Sequence, residues 1–303
     1  MFKRAIWGLA AVVCLMAPAI VKAQAQGDYL DETIVKVKPD KVAEFTAVVK
    51  KISDANRKFN GDRWIGMETM YGEGDTYVFV SIRKDYADID KGNDAFNAAL
   101  EKAYGKEGAA KLQRDEANCL ESSRSELRRR RWDLSSKTPS DAMAEAKLVG
   151  ESRLLRTVAV HVRSGHIADF EAMIKETKEA REKNPDTQPL LVSQVVEGTK
   201  GTTFYVTSLR SSLGGFDKNP TNREILGEEG FKKFLKANAE FVSGTESAIL
   251  HFVPELSSPP EAIAQASADF WQPKQTMMAT HKAKAAGAAS PAETKPVAEK
   301  PKP

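Results

Sequence analysis

From residue 33 the chain alternates. Val35 and Val37 are separated by Lys36 and followed by Lys38, the two-residue period of a strand with one apolar face. After Pro39 the period changes: Val42, Phe45, Val49 and Ile52 recur at three- and four-residue steps, which predicts an amphipathic helix. "WIGMETMY" (64–71) and "TYVFVSIR" (76–83) then read as two strands joined by the turn "GEGD". A helical region to about residue 117 follows, then a last strand, then a short helix over 139–148 opened by Pro139.

The same order of periods returns about 125 residues later. "VKVKPDKVAEFTAVVKK" (35–51) superposes on "VHVRSGHIADFEAMIKE" (160–176), placing Val35, Val37, Phe45 and Val49 over Val160, Val162, Phe170 and Ile174. "TYVFVSIR" falls on "TFYVTSLR" (203–210), and "YGKEGAAKL" (104–112) on "LGEEGFKKF" (226–234). "RRWDLSSKTPSDAMAEA" (130–146) falls on "FVPELSSPPEAIAQA" (252–266) with small gaps. The chain is a tandem duplication, with copy one over 27–150 and copy two over 151–272. Strands are predicted at 33–38 and 157–163, and trailing helices at 139–148 and 259–271.

Strand, helix, two strands, helix, strand is the ferredoxin-like split unit, an α+β arrangement with one antiparallel sheet and its helices on a single face. The bare face of each sheet needs a cover, and the other copy supplies it. Two tandem units with their sheets face to face are therefore expected, a monomer that is internally a pseudo-dimer.

The four arginines of "RSELRRRRWDLS" (124–135) lie over the closing strand of copy two, "ILHFVPELS", and so belong to a strand end. A nucleic-acid surface needs a basic domain with aromatics beside the basic run. The chain has 45 Lys and Arg against 42 Asp and Glu, a net charge of +3, and no nucleic-acid partner is expected.

The ends differ from the middle. "MFKRAIWGLAAVVCLMAPAIVKAQA" has a basic start, an apolar run broken by Pro18 and a small-residue exit, the three parts of a signal peptide over 1–25. An exported, periplasmic or secreted protein is expected, with no membrane span once the leader is removed. The Ala, Lys and Pro-rich segment 273–303 lacks any apolar period and reads as a disordered tail, able to make weak contact with an anionic envelope polymer. Cys119 is the one cysteine left after the leader, and a small buried hydrophobe is its expected role.

Candidate chemistry follows from strand parity. If Val35, Val37, Val160 and Val162 face the helices, Lys36 and His161 point to the opposite face, toward the space between the sheets. Leu127 and Ile249 suit the helix side, which sends Arg128 and Arg130 to join Lys36. Lys36, Arg128, Arg130 and His161 would then line a basic cavity, where an anionic small molecule accepts charge-assisted hydrogen bonds. The bland alternative is that these cations pair with acids such as Glu68 or Glu126. Three histidines without ligand spacing make no metal site, and the common catalytic motifs are missing, so catalytic residues and cofactor stay unassigned.

"VKVKPDKVAEF" and "VHVRSGHIADF", with the element order around them, resemble the dimeric α/β-barrel superfamily, which includes antibiotic-biosynthesis-monooxygenase-like domains. The resemblance covers roughly 33–134 and 157–256. It implies two ferredoxin-like sheets enclosing a ligand cavity, and an activity among cofactor-independent oxygenases and haem-binding or haem-degrading enzymes. The copies share no His, Asn or Trp at equivalent positions: Trp64 is matched by Leu190. Three functions are thus open: binding of a small anionic molecule between the sheets, an oxygenase or haem-handling enzyme, and an envelope structural or interaction protein.

Overall fold

The computed structural model describes residues 28–272. The expected leader (1–25) and tail (273–303) lie outside the described residues. Copy one is built of β1 (Tyr29–Val37), α1 (Val42–Phe59), β2 (Ile65–Tyr71), β3 (Thr76–Arg83), α2 (Tyr86–Cys119), β4 (Leu120–Arg130) and the trailing α3 (Ala142–Glu151). Copy two repeats this with β5 (Leu154–Val162), α4 (Ile167–Lys183), β6 (Leu191–Glu197) and β7 (Thr202–Arg210). A four-residue α5 (Gly214–Asp217), α6 (Asn222–Phe241), β8 (Val242–Phe252), α7 (Glu261–Ala266) and α8 (Ala268–Trp271) complete it.

All eight strands form one closed antiparallel barrel in the order β1-β3-β2-β8-β5-β7-β6-β4. Two seams join the copies: β2 pairs with β8 (Met67↔Phe252) and β4 with β6 (Arg130↔Ser193). The barrel has no free edge.

Parity assigns the faces as the sequence implied. Val35 and Val37 pack outward on Phe45 and Val49 of α1, with Cys119 fully buried among them. Val160 and Val162 do the same on Phe170 and Met173 of α4. Phe45 and Phe170 hold equivalent positions and are 0% and 1% exposed. Each contributes on the order of 2–3 kcal/mol of apolar burial.

The strands begin earlier than their apolar pattern does. β1 starts at Tyr29 rather than residue 33, because Asp31 and Glu32 lie within it and interrupt the alternation. α2 and α6 are broken at equivalent glycines, Gly105 (φ 70°, ψ 166°) and Gly227 (φ 68°, ψ 174°), a backbone region that essentially only glycine occupies.

The trailing segments exchange between copies. Ser257 Oγ accepts from Gly66 N on β2, and Ser135 Oγ from Val192 N on β6, at 2.9 and 2.8 Å. Trp64 bridges Ser258 while Leu190 bridges Ser136. Beyond these contacts α3 and α7 cross over one end of the barrel, where Ile263, Ala264, Ala146 and Trp271 join Ile65, Leu209, Leu250 and Phe252 in one core. The crossing is close enough that a Cβ on Gly150 would meet Ala266 Cβ and Ile263 O at 2.6 Å.

Candidate functional site

Beneath this cap the barrel holds a cavity of about 150 Å³. Copy two and β2–β3 supply apolar wall, including Leu155, Leu209, Leu250, Phe252, Met67 and Val80. Copy two adds only the hydroxyls of Thr157, Ser193 and Thr207, and the cavity's charged side chains come from copy one alone: Glu32 on β1, Arg128 and Arg130 on β4, and Glu145 on α3 line it. Their counterparts by sequence superposition are Thr157, Leu250, Phe252 and Gln265.

Arg128 is the hub of that wall. Its Nη2 lies 2.5 Å from Glu32 Oε2 and 2.9 Å from Glu126 Oε2, and its guanidinium stacks 3.3 Å over the Tyr205 ring. Tyr205 donates to Glu126 Oε1 at 3.4 Å, and Arg124 approaches the same oxygen at 3.3 Å from a more exposed position. Two buried carboxylates thus share one fully enclosed guanidinium. Burial raises the Glu32 carboxyl from its ordinary 4.5 to about 7; Arg128 opposes that rise and Glu126 adds to it. Burial likewise pushes the Tyr205 phenol up to about 12.

Arg130 sits differently. Its Nη1 lies 2.5 Å from Glu145 Oε1, yet the contact lacks hydrogen-bond geometry, and Nη1 is a buried donor without a hydrogen-bond partner. With 9% of its side chain exposed, Arg130 lines the cavity as half of a buried ion pair, its guanidinium 5.1 Å from the centre of the Trp132 ring.

The expected four-residue site divides. Arg128 and Arg130 line the cavity, but carboxylates match them, so the predicted excess of positive charge is not present in its walls. Glu126 is one of those carboxylates; Glu68, the other acid considered, lies instead beside His251 and Tyr77. Lys36 and His161 share the inward face but stand further along their strands, away from the cavity wall. Lys36 donates to Gly74 O at 2.6 Å in the β2–β3 turn, and His161 Nδ1 sits 3.0 Å from Thr203 Oγ1. The inward face is long enough for parity to be right and proximity wrong. Glu32 and Glu145 went unrecognised. Glu32 shares parity with Lys36 and could have been found; Glu145 depends on where the trailing helix lands.

A second cavity of about 220 Å³ lies between the copy-one sheet and its helices, with Trp64, Phe79 and Phe96 on one side and Arg83, Asp62 and Glu116 on the other. Asp62 holds Arg83 with two bonds of 2.6 and 2.7 Å, and Asp31 lies 3.2 Å from its Nε. Burial raises the Glu116 carboxyl, and among the described residues that carboxyl makes no hydrogen bond or ion pair. Copy two keeps Arg210 at the place of Arg83 but has Arg156 and Gln188 where Asp31 and Asp62 stand, and Arg210 turns to Leu209 O and Gly215 O.

An eight-stranded antiparallel barrel closed by two ferredoxin-like units is the dimeric α/β-barrel fold, with both units of the barrel in one chain. An anthrone oxidase-like protein of known structure shares it at a TM-score of 0.50 and 9% identity, over 76% of this chain and 93% of that one. Chlorite dismutase from Candidatus Nitrospira defluvii aligns over 80% and 95% (TM-score 0.44, 10% identity). A haem-binding protein from Thermus thermophilus aligns over 77% and 94% (TM-score 0.42, 12% identity). No family model matches the sequence, and no curated protein matches it in sequence.

Proposed function

We propose that this chain is an exported small-molecule binding protein whose ligand occupies the barrel interior, apolar body against copy two and polar group against copy one. One observation carries the reading: a largely apolar cavity lined on one side by two buried arginines, Arg128 and Arg130, with their carboxylate partners. Volume sets the ligand's size, because a cavity of about 150 Å³ lined by aliphatic side chains accepts one benzene-sized ring. Haem does not fit there: the space is too small, and none of His161, His166 and His251 lines either cavity. Export rests on the three-part character of residues 1–25.

The test is thermal unfolding of the mature chain with toluene or benzamide. Saturation about a hundredfold above Kd is expected to stabilise the protein by about 2.7 kcal/mol. Leu155→Phe, which fills the cavity, should abolish that gain while the protein stays folded. An unchanged melting temperature with every single-ring compound tried overturns the reading.

A second reading is cofactor-independent oxidation in the copy-one cavity, supported by Glu116, which lines it together with Arg83 and Trp64 and whose carboxyl makes no hydrogen bond or ion pair among the described residues. The anthrone oxidase-like neighbour lends it only an analogy of fold. Oxygen uptake with an oxidisable phenolic substrate, lost in Glu116→Gln and kept in Leu155→Phe, would favour it.

A further inference from the structure

We infer that the barrel site takes a small weak acid, bound as its anion at Arg130 together with one proton taken up by Glu32. This rests on the barrel-interior reading above and adds the ligand's class and its coupling to pH. Three guanidinium groups, of Arg124, Arg128 and Arg130, face three carboxyl groups, of Glu32, Glu126 and Glu145. Fully ionised, the wall is neutral. An anion entering this low-dielectric space would leave one negative charge unmatched, at high desolvation cost. Protonation of one carboxyl restores the balance.

Glu32 is the carboxyl placed to do so. Glu126 accepts from Arg128 Nε and from Tyr205 as well as facing Arg128 Nη2, whereas among the described residues Glu32 has only the contact to Arg128 Nη2. β4 presents Arg124, Glu126 and Arg128; β1 itself carries Asp31 on the opposite face, held by Arg83. β7 presents Tyr205, and β3 offers only Val78, Val80 and Ile82 to the cavity. A Glu32 carboxyl that titrates close to neutrality is consistent with this geometry. The anion's own place is at the Arg130 guanidinium, which lines the cavity and whose ion pair among the described residues is the single contact of Nη1 with Glu145.

Benzoate, an anion throughout the neutral range, and benzamide, its neutral analogue, separate the possibilities by calorimetry in two buffers of different ionisation enthalpy. For benzoate, close to one proton taken up per molecule is expected at about pH 8.5 and close to none at about pH 6. Its affinity should fall about tenfold per pH unit above about pH 7, while benzamide affinity stays flat. Glu32→Gln should bind benzoate with no proton uptake and as tightly at high pH as the unmodified protein does at low pH. If that variant does not fold, proton uptake by the unmodified chain decides alone. Benzoate affinity independent of pH, benzamide bound where benzoate is refused, or a pH dependence that persists in Glu32→Gln overturns the inference and leaves the barrel site standing. Failure of both compounds to bind overturns the barrel-binding reading itself.

Discussion

Glu32 is the residue at which the barrel's chemistry and its stability meet. Folded Glu32 holds its proton to about pH 7, whereas an unfolded carboxyl releases it near 4.5. Between these values the folded state binds more protons, so stability falls as pH rises through that window. The loss amounts to at most about 3 kcal/mol by about pH 8. Urea unfolding of Glu32→Gln should show that slope removed and a variant more stable than the parent at about pH 8. Equal slopes would mean that Glu32 is ionised in the folded barrel at neutral pH. Arg128→Gln has the opposite sign, because it leaves Glu126 and Glu32 buried without their shared cation. A loss of about 3–5 kcal/mol is expected on chemical unfolding. An effect below about 1 kcal/mol would show that the cluster relaxes into water instead.

At the scale of elements, the glycines at the helix breaks are expected to resist substitution for backbone reasons alone. A Cβ on Gly105 would meet nothing within 4 Å, so Gly105→Ala isolates the strain of φ 70° and ψ 166°. Calorimetric unfolding should register about 1–3 kcal/mol of destabilisation. Gly150→Ala works through contact, forcing α3 and α7 apart where the barrel is capped, and should loosen the cavity more than it lowers the melting temperature. The elements themselves were legible in the sequence wherever a buried face is apolar: Val35, Val37, Phe45 and their copies fix strand, helix and face together. Legibility failed where polar groups are buried against one another. Glu32 hid the first half of β1, since an acid in a strand reads as solvent-facing until its partner is known. Arg128 and Arg130 were placed on the inward face correctly, but the cap helix that brings Glu145 to Arg130 is a tertiary fact with no local signal. Lys36 and His161 show the complementary limit: alternation gives the face of a residue, not its height along the barrel.

At the scale of the molecule, neither copy has a closed sheet of its own. β2 and β4 each end copy one's sheet with an edge that β8 and β6 cover, and each trailing serine segment satisfies backbone of the other copy. Residues 27–150 expressed alone should therefore dimerise or aggregate, because open edges invite pairing. Analytical ultracentrifugation at increasing concentration checks this, and a folded, non-associating monomer would contradict it. The same closure predicts that the two copies unfold in one transition rather than two.

A barrel built from two identical chains repeats every wall residue across its axis, so a molecule entering it meets the same surroundings whichever way it turns. Here the arginines and acids stand on one side only, opposite Leu250, Phe252 and Thr157. Fusion has given the interior a direction. Under the binding proposed above, a guest with unlike ends would have a single favourable orientation, with its hydrocarbon end lodged in copy two. Any atom along its length would then be held at a fixed distance from Glu32.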